Sequence, residues 1–186
     1  TLVTTGRTGT DFFQSLLDSH PEIFVFNGAL FFHTFWNSAD SVNHGGELIS
    51  RDIVDEFIGH HLKTIKSKYD IFEKKGFLGK EKNQSIDIDT DNFKQLLLSL
   101  IDERPINSRN FLTAVYVSYT VCVGQDVMKK KIFFHHIHHI RKLGPYMADF
   151  PDSKVICMTR DPRAAYVSGV ENWRKADEAA KNPSFP

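Results

Sequence analysis

The sequence predicts a three-layer α/β domain, a central parallel β-sheet flanked by helices, and three observations predict it. Short apolar runs alternate along the chain with longer stretches whose apolar residues recur at helical spacing. Turns rich in glycine, proline, serine and aspartate separate them. The last third repeats strand, turn and helix in the order that parallel sheets require. With 186 residues the chain suits one ordinary domain and is short for two, so a single domain over 1–186 is expected.

The elements follow in order. Thr1 to Thr5 reads as a strand, Gly6 to Thr10 as a glycine loop, and the run to Pro21 as a helix. Glu22 to Asn27 is a short buried strand or extended link, Leu30 to Trp36 an aromatic cluster, and 38–50 a turn-forming stretch. From Arg51 to Tyr69 the residues Ile53, Val54, Phe57, Ile58, His61, Leu62 and Ile65 form one face of an amphipathic helix. Residues 70–90, rich in Lys, Asp and Gly, read as an exposed excursion. Asp91 to Ile101 is a further helix with Asp91 as its expected N-cap. After Pro105, Ser108 is the expected cap of a segment whose Phe111, Leu112, Val115, Tyr119, Cys122 and Val123 share a helical face, although its Val, Tyr and Thr content also suits a strand. Lys131 to Phe134 is a strand and His136 to Phe150 a helix interrupted near Gly144 and Pro145. Lys154 to Thr159 is a buried strand, and Pro162 stands at the first position of a final helix.

Composition excludes several classes of function. Lys plus Arg and Asp plus Glu number 23 each, so net charge gives no reason to expect nucleic acid or an anionic membrane as a partner. No apolar run approaches the roughly 18 residues of a membrane span, and no signal peptide is visible, although the chain starts without Met. Cys122 and Cys157 are too few for a disulfide framework, which favours a reducing, cytoplasmic setting.

Two motifs carry chemistry. The first is the loop "TTGRTGTDFF". A strand, glycine loop and helix start bring unpaired N–H groups and the positive end of a helix dipole to one point, which suits a phosphate or sulfate. Gly6 and Gly9 let the backbone approach closely, Arg7 adds a cationic fork, and Thr8 and Thr10 add hydroxyl donors. No Gly-Lys-Ser/Thr follows, so the nucleotide-hydrolase pattern is absent. The second motif is "VICMTRDPRAAYVSGVENW". Arg160 ends a strand and Ser168 lies eight residues on, so a strand-end guanidinium and a helix hydroxyl stand ready to close on a second phosphate.

Together the two motifs resemble the sulfotransferase family that uses 3′-phosphoadenosine 5′-phosphosulfate, PAPS. The family's 5′-phosphosulfate loop corresponds to Arg7-Thr8-Gly9-Thr10, and its 3′-phosphate motif to Arg160-Asp161-Pro162-Arg163 with Ser168. The phrases "LLDSHPEI" and "FPDSKVICMTRDPRA" are similar to the bacterial and Golgi-type branches. The resemblance covers residues 1–23 and 150–173. It implies a P-loop-like sulfotransferase fold with a phosphosulfate loop at 1–23, a helical acceptor region at 30–130 and a 3′-phosphate-binding strand and helix at 131–175. It implies PAPS as cosubstrate, a hydroxyl or amine acceptor such as a carbohydrate or small molecule, and no metal requirement. Gly6, Arg7, Thr8, Gly9, Thr10 and Asp11 would line the phosphosulfate, with Arg7 stabilising charge on the bridging oxygen. Arg160 and Ser168 would bind the 3′-phosphate. Asp11 departs from the Thr, Ser or Arg usual there, and is compatible with an anion if it turns away or caps the helix. Family members also continue beyond the last helix, so the resemblance implies an incomplete C-terminus.

Sulfuryl transfer also calls for a base near the acceptor. His33, set among Phe31, Phe32, Phe35 and Trp36, and Glu22, just past the loop helix, are the catalytic candidates beside Arg7; His20 and the "HHIHHI" run are further bases. If that run is helical, His135 with His138 or His139 shares a face and could hold zinc, though no HExxH pattern or nearby cysteine completes a site. Two alternatives stand beside transfer: a P-loop-like small-molecule kinase, which lacks its Gly-Lys and magnesium aspartate here, and a non-catalytic nucleotide- or metal-binding module.

Overall fold

Leu2 and Val3 are almost wholly removed from solvent and are flanked by Thr1 and Thr4, so this pair forms a strand in the middle of the molecule, β1 (Leu2–Val3). The computed structural model describes residues 1–4, 8–18, 20–26, 30–39, 50–66, 88–102 and 106–181. After β1 come α1 (Thr10–Leu17), β2 (Ile23–Val25), α2 (Phe32–Ser38), α3 (Ser50–Lys66), α4 (Thr90–Asp102) and α5 (Ser108–Cys122). The last part holds β3 (Ile132–Phe134), β4 (His136–Ile137), α6 (Leu143–Asp149), β5 (Ile156–Cys157) and α7 (Pro162–Lys181).

Among the described residues all strand pairs are parallel, in a three-stranded sheet ordered β4-β1-β5 and a two-stranded sheet of β2 and β3. β1 lies between β4 and β5, with Leu2 opposite both His136 and Ile156, and Val3 opposite both Ile137 and Cys157. β2 pairs with β3, Ile23 opposite Ile132. His135 separates β3 from β4, yet the alternation of side chains runs straight through it. Phe134 meets Phe13 of α1 at 6.1 Å and His136 meets Gln14 of α1 at 3.2 Å, so even-numbered residues face α1. Phe133 meets Tyr116 of α5 at 4.3 Å, and His135 stacks on Tyr146 of α6 at 5.1 Å, so odd-numbered residues face the other way. The result is the expected three-layer α/β fold, with α1 on one face of the sheet and α5 and α6 on the other.

Helices α3, α4 and α5 pack in series, α4 lying against both neighbours. Their seam is aromatic: Phe57, Phe93 and Phe111 are wholly buried, and Phe111 also touches Phe32 and Trp36 of α2. Burying rings of this size contributes roughly 1.5–3 kcal/mol each.

Several local expectations are corrected. Asp89, not Asp91, caps α4, its Oδ1 accepting from the N–H groups of Asp91 at 3.0 Å and Asn92 at 3.1 Å. Asn107 rather than Ser108 caps α5, accepting from Asn110 N at 2.9 Å. The helix expected from His136 starts only at Leu143, because His136 and Ile137 pair with β1 instead. β5, expected to be buried, is exposed along its length, with Ile156 at 45 %, since it lies at the sheet edge among the described residues. The excursion expected at 70–90 lies mostly outside the described residues.

Burial also makes the fold acid-sensitive. Desolvation lowers the pKa of His61 to about 4 and that of His136 to about 4, and pushes the His135 value down as well. These rings bind fewer protons folded than unfolded below the ordinary value of about 6.5. Stability is therefore expected to fall as pH drops from about 6.5 toward about 4, by roughly 3 kcal/mol for each of His61 and His136. Denaturant midpoints measured at pH 7 and pH 5 check this; equal midpoints would refute it.

Candidate active site at the C-terminal sheet edge

The turn after β1 is built around a backbone requirement. Gly9 caps α1 at φ 88° and ψ 19°, a left-handed conformation, and having no side chain it makes no side-chain cap hydrogen bond. An added Cβ would meet no atom within 4 Å, so the demand for glycine comes from φ rather than from crowding. The first helical bond runs from Phe13 N–H to the Gly9 carbonyl at 3.0 Å, so the N–H groups of Thr10, Asp11 and Phe12 precede the helix ladder. Thr8 and Thr4 hydroxyls meet at 2.5 Å across the turn, and Thr10 is buried. Below it, Gln14 donates to the Phe26 carbonyl while its Oε1 meets His136 Nδ1 at 3.2 Å, which seats α1 on the sheet. Gly6 and Arg7 lie outside the described residues, as does the Asp11 side chain, whose backbone is the second residue of α1.

The run Arg160-Asp161-Pro162-Arg163 divides its tasks by position. Asp161 Oδ1 accepts from Arg163 N–H at 2.9 Å, and its carbonyl from Ala165 N–H at 3.0 Å, so Asp161 caps α7. Pro162 is the first residue of that helix, where a missing N–H costs nothing. The Arg163 guanidinium grips the same carboxylate through Nε at 3.1 Å and Nη2 at 2.7 Å, holding the Asp161 carboxyl below its ordinary range. Arg160, expected to end the strand, is exposed in the short irregular link between β5 and α7, since the strand stops at Cys157, and Ser168 stands half-buried on the second turn of α7. With Ala164, Ala165 and Gly169, Ser168 makes a half-buried helix face of small residues.

β1 and β5 are adjacent and parallel, Met158 N–H donating to the Val3 carbonyl at 3.3 Å. The chain leaving β1 toward Thr8–Thr10 and the chain leaving β5 toward Arg160 therefore depart from the same edge, about 4.8 Å apart where they pair. β4 ends at that edge on the other side of β1, the Ile137 carbonyl accepting from Thr4 N–H at 3.2 Å. There a small open pocket is lined by Phe31, His33, Ile137, His138, His139 and Lys142, among others. Among the described residues no carboxylate lines it.

His33 is 4 % exposed and meets Asp149 of α6 with Nε2 3.0 Å from Oδ2. The other carboxylate oxygen, Oδ1, accepts from the Ser108 hydroxyl at 2.7 Å. Burial lowers the His33 pKa, Asp149 raises it, and Lys142 adds a lesser lowering. The imidazole therefore stands neutral at ordinary pH, beside a pocket one strand away from the α1 turn. Asp149 and Ser108 were not among the sequence candidates; Ser108 was singled out only as a helix cap.

Other candidates are not gathered here. Glu22 precedes β2, at the opposite end of the strands, and is ion-paired with Lys131. His20 Nδ1 accepts from Glu22 N–H at 3.1 Å in the same region, and its carbonyl accepts from Lys130 Nζ at 2.8 Å. The "HHIHHI" run is a strand at His136 and Ile137 and bends at His138 and His139, so the helical spacing that would pair His135 with His139 does not exist. His135 points away from α1 and bonds the Tyr116 hydroxyl at 2.9 Å, whereas His136 points toward α1. Among the described residues no group of three His, Cys, Asp or Glu side chains is arranged to hold a metal ion. Among them, too, no helix is long and apolar enough to cross a membrane.

A family model described as "Sulfotransferase family" matches residues 2–182, nearly the whole chain. No curated protein and no solved structure gives a significant match.

Proposed function

The chain belongs to the sulfotransferase family, and from that premise we propose that it transfers a sulfuryl group from PAPS to an acceptor hydroxyl or amine held in the pocket beside His33. The observation that carries this reading is the parallel pairing of β1 with β5, Val3 opposite Cys157, which sends both phosphate motifs out of one sheet edge. A left-handed Gly9 at an α1 start where the N–H groups of Thr10, Asp11 and Phe12 precede the helix ladder fits an anionic group there.

PAPS supplies a sulfuryl group on a phosphate leaving group. The residues after β1 would hold the 5′-phosphosulfate through N–H groups and through Thr8 and Thr10, with Arg7 facing the bridging oxygen. Arg160 and Ser168 would hold the 3′-phosphate from the β5 side. The acceptor oxygen attacks sulfur, the bond from sulfur to the bridging phosphate oxygen breaks, and the acceptor proton passes to His33. Negative charge grows on the departing phosphate, where fixed donors and a cation are of most value. His33 fits the base role better than Glu22, which is committed to Lys131 at the far end of the strands.

Calorimetric titration of the purified chain tests the reading. Adenosine 3′,5′-bisphosphate is expected to bind at least about tenfold more tightly than AMP or ATP, since one well-placed charge-assisted contact contributes about 1.5–3 kcal/mol. Equal affinities would defeat the PAPS assignment.

A further inference from the structure

His33 and Asp149 are 116 residues apart in sequence and come together from α2 and the last residue of α6. The carboxylate is not loosely placed. One oxygen takes the His33 ring N–H, the other takes the Ser108 hydroxyl from the first turn of α5, so both are engaged across three helices. Asp149 is 17 % exposed and His33 4 %, which shields the pair from competing water. A partly buried carboxylate accepting at Nε2 selects the tautomer with the proton there and leaves Nδ1 as the basic nitrogen. The ring itself is held edge-on to Phe32 at 5.2 Å, to Tyr146 at 5.9 Å and to His135 at 6.3 Å.

We propose that Asp149, anchored by the Ser108 hydroxyl, is the positioning residue of the reaction: it fixes the proton of His33 on Nε2 so that Nδ1 receives the proton of the acceptor. This rests on the function proposed above. Asp149 takes part in no bond-making step. It keeps the imidazole in one orientation before transfer, and it stabilises the imidazolium once His33 has accepted a proton.

The charged and titratable groups around His33 set the sign of the pH effect. Burial and, to a lesser degree, Lys142 oppose the protonated ring and Asp149 favours it, while His135 and Tyr146 contribute edge-on ring contacts. Turnover should fall as pH drops through the His33 pKa, because a protonated ring accepts nothing. Replacing the carboxylate by a neutral amide removes the favouring charge, so the acid limb of the Asp149→Asn profile should move to lower pH while the plateau falls.

The experiment combines a ring readout with turnover. Nitrogen-detected NMR of the histidine rings should show wild-type His33 neutral with its proton on Nε2, and Asp149→Asn should lower its pKa and mix the tautomers. Ser108→Ala leaves the carboxylate in place and should give an intermediate spectrum, so the test remains decisive if Asp149→Asn does not fold. Release of inorganic sulfate from PAPS, with water as the probe acceptor, should lose at least about tenfold in kcat in Asp149→Asn with KM for PAPS little changed, since base catalysis contributes about 100-fold or more. A wild-type ring protonated on Nδ1, or a tautomer and pKa that neither variant moves, overturns the proposal. The ring readout needs no turnover, so a chain that binds no adenosine 3′,5′-bisphosphate would refute the functional reading separately.

Discussion

Arg160→Ala is expected to weaken adenosine 3′,5′-bisphosphate binding by about 10–100-fold while leaving AMP binding nearly unchanged. The ground is local. Asp161 is already occupied as the cap of α7 and as the partner of Arg163, so within "RDPR" the first arginine is the one whose position just past β5 suits a ligand. A guanidinium gripping a phosphate through charge-assisted hydrogen bonds contributes about 1.5–3 kcal/mol, and each 1.4 kcal/mol is about tenfold. Ser168→Ala should cost less, and the double variant should lose less than the sum of the two, because both groups would address one phosphate. Calorimetry with both nucleotides measures this. A loss of equal size for AMP would mean that Arg160 supports the fold of this edge and does not read the 3′-phosphate.

Arg7→Ala is expected to cut kcat for sulfuryl transfer by about 100- to 1,000-fold with a much smaller change in nucleotide affinity. Ground-state PAPS already carries its phosphate charge, which N–H groups at the α1 start would meet with or without Arg7. The charge that appears on the bridging oxygen as the sulfur bond breaks is new, and a cation beside it acts mainly on the transition state. Arg7 is the residue directly before Thr8, whose hydroxyl is fixed on Thr4 at 2.5 Å. Arg7→Lys should recover only part of the rate, since an ammonium lacks the planar fork. Steady-state kinetics set against a binding titration separate the two effects, and a pure affinity loss would remove Arg7 from the chemical step.

The parts of this fold that were legible in the sequence are those whose signals are local. Glycine and proline punctuation marked the starts of α1 and α7, and apolar spacing marked α3, α4 and α5. The "HHIHHI" run misled because four His and two Ile satisfy a helix or a strand about equally, and the choice between them is made by β1, more than 130 residues away in sequence. Cap positions slipped by one or two residues for a similar reason: Asp89 and Asp91 are equally good acceptors, and only the path of the chain into α4 selects between them. The pairing of His33 with Asp149 had no sequence signal at all. Asp149 sits in "YMADF" with nothing to mark it, and its role exists only once α6 folds back over α2. The loop before α1 and the run before α7 are contiguous motifs and can be read; the contact between His33 and Asp149 is assembled by tertiary packing.

The unbroken alternation from Ile132 to Ile137 also ties the two sides of the sheet together by parity. Odd positions put Phe133, His135 and Ile137 toward α5, α6 and the pocket, and even positions put Phe134 and His136 under α1. A single inserted or deleted residue in this run would exchange the two sets at once, turning the ring of His135 against α1 and that of His136 into the wall shared with Tyr146. Substitutions here act on one layer at a time, but changes in length act on both, so evolution can tune the pocket wall and the seat of α1 independently only while the spacing between them stays fixed.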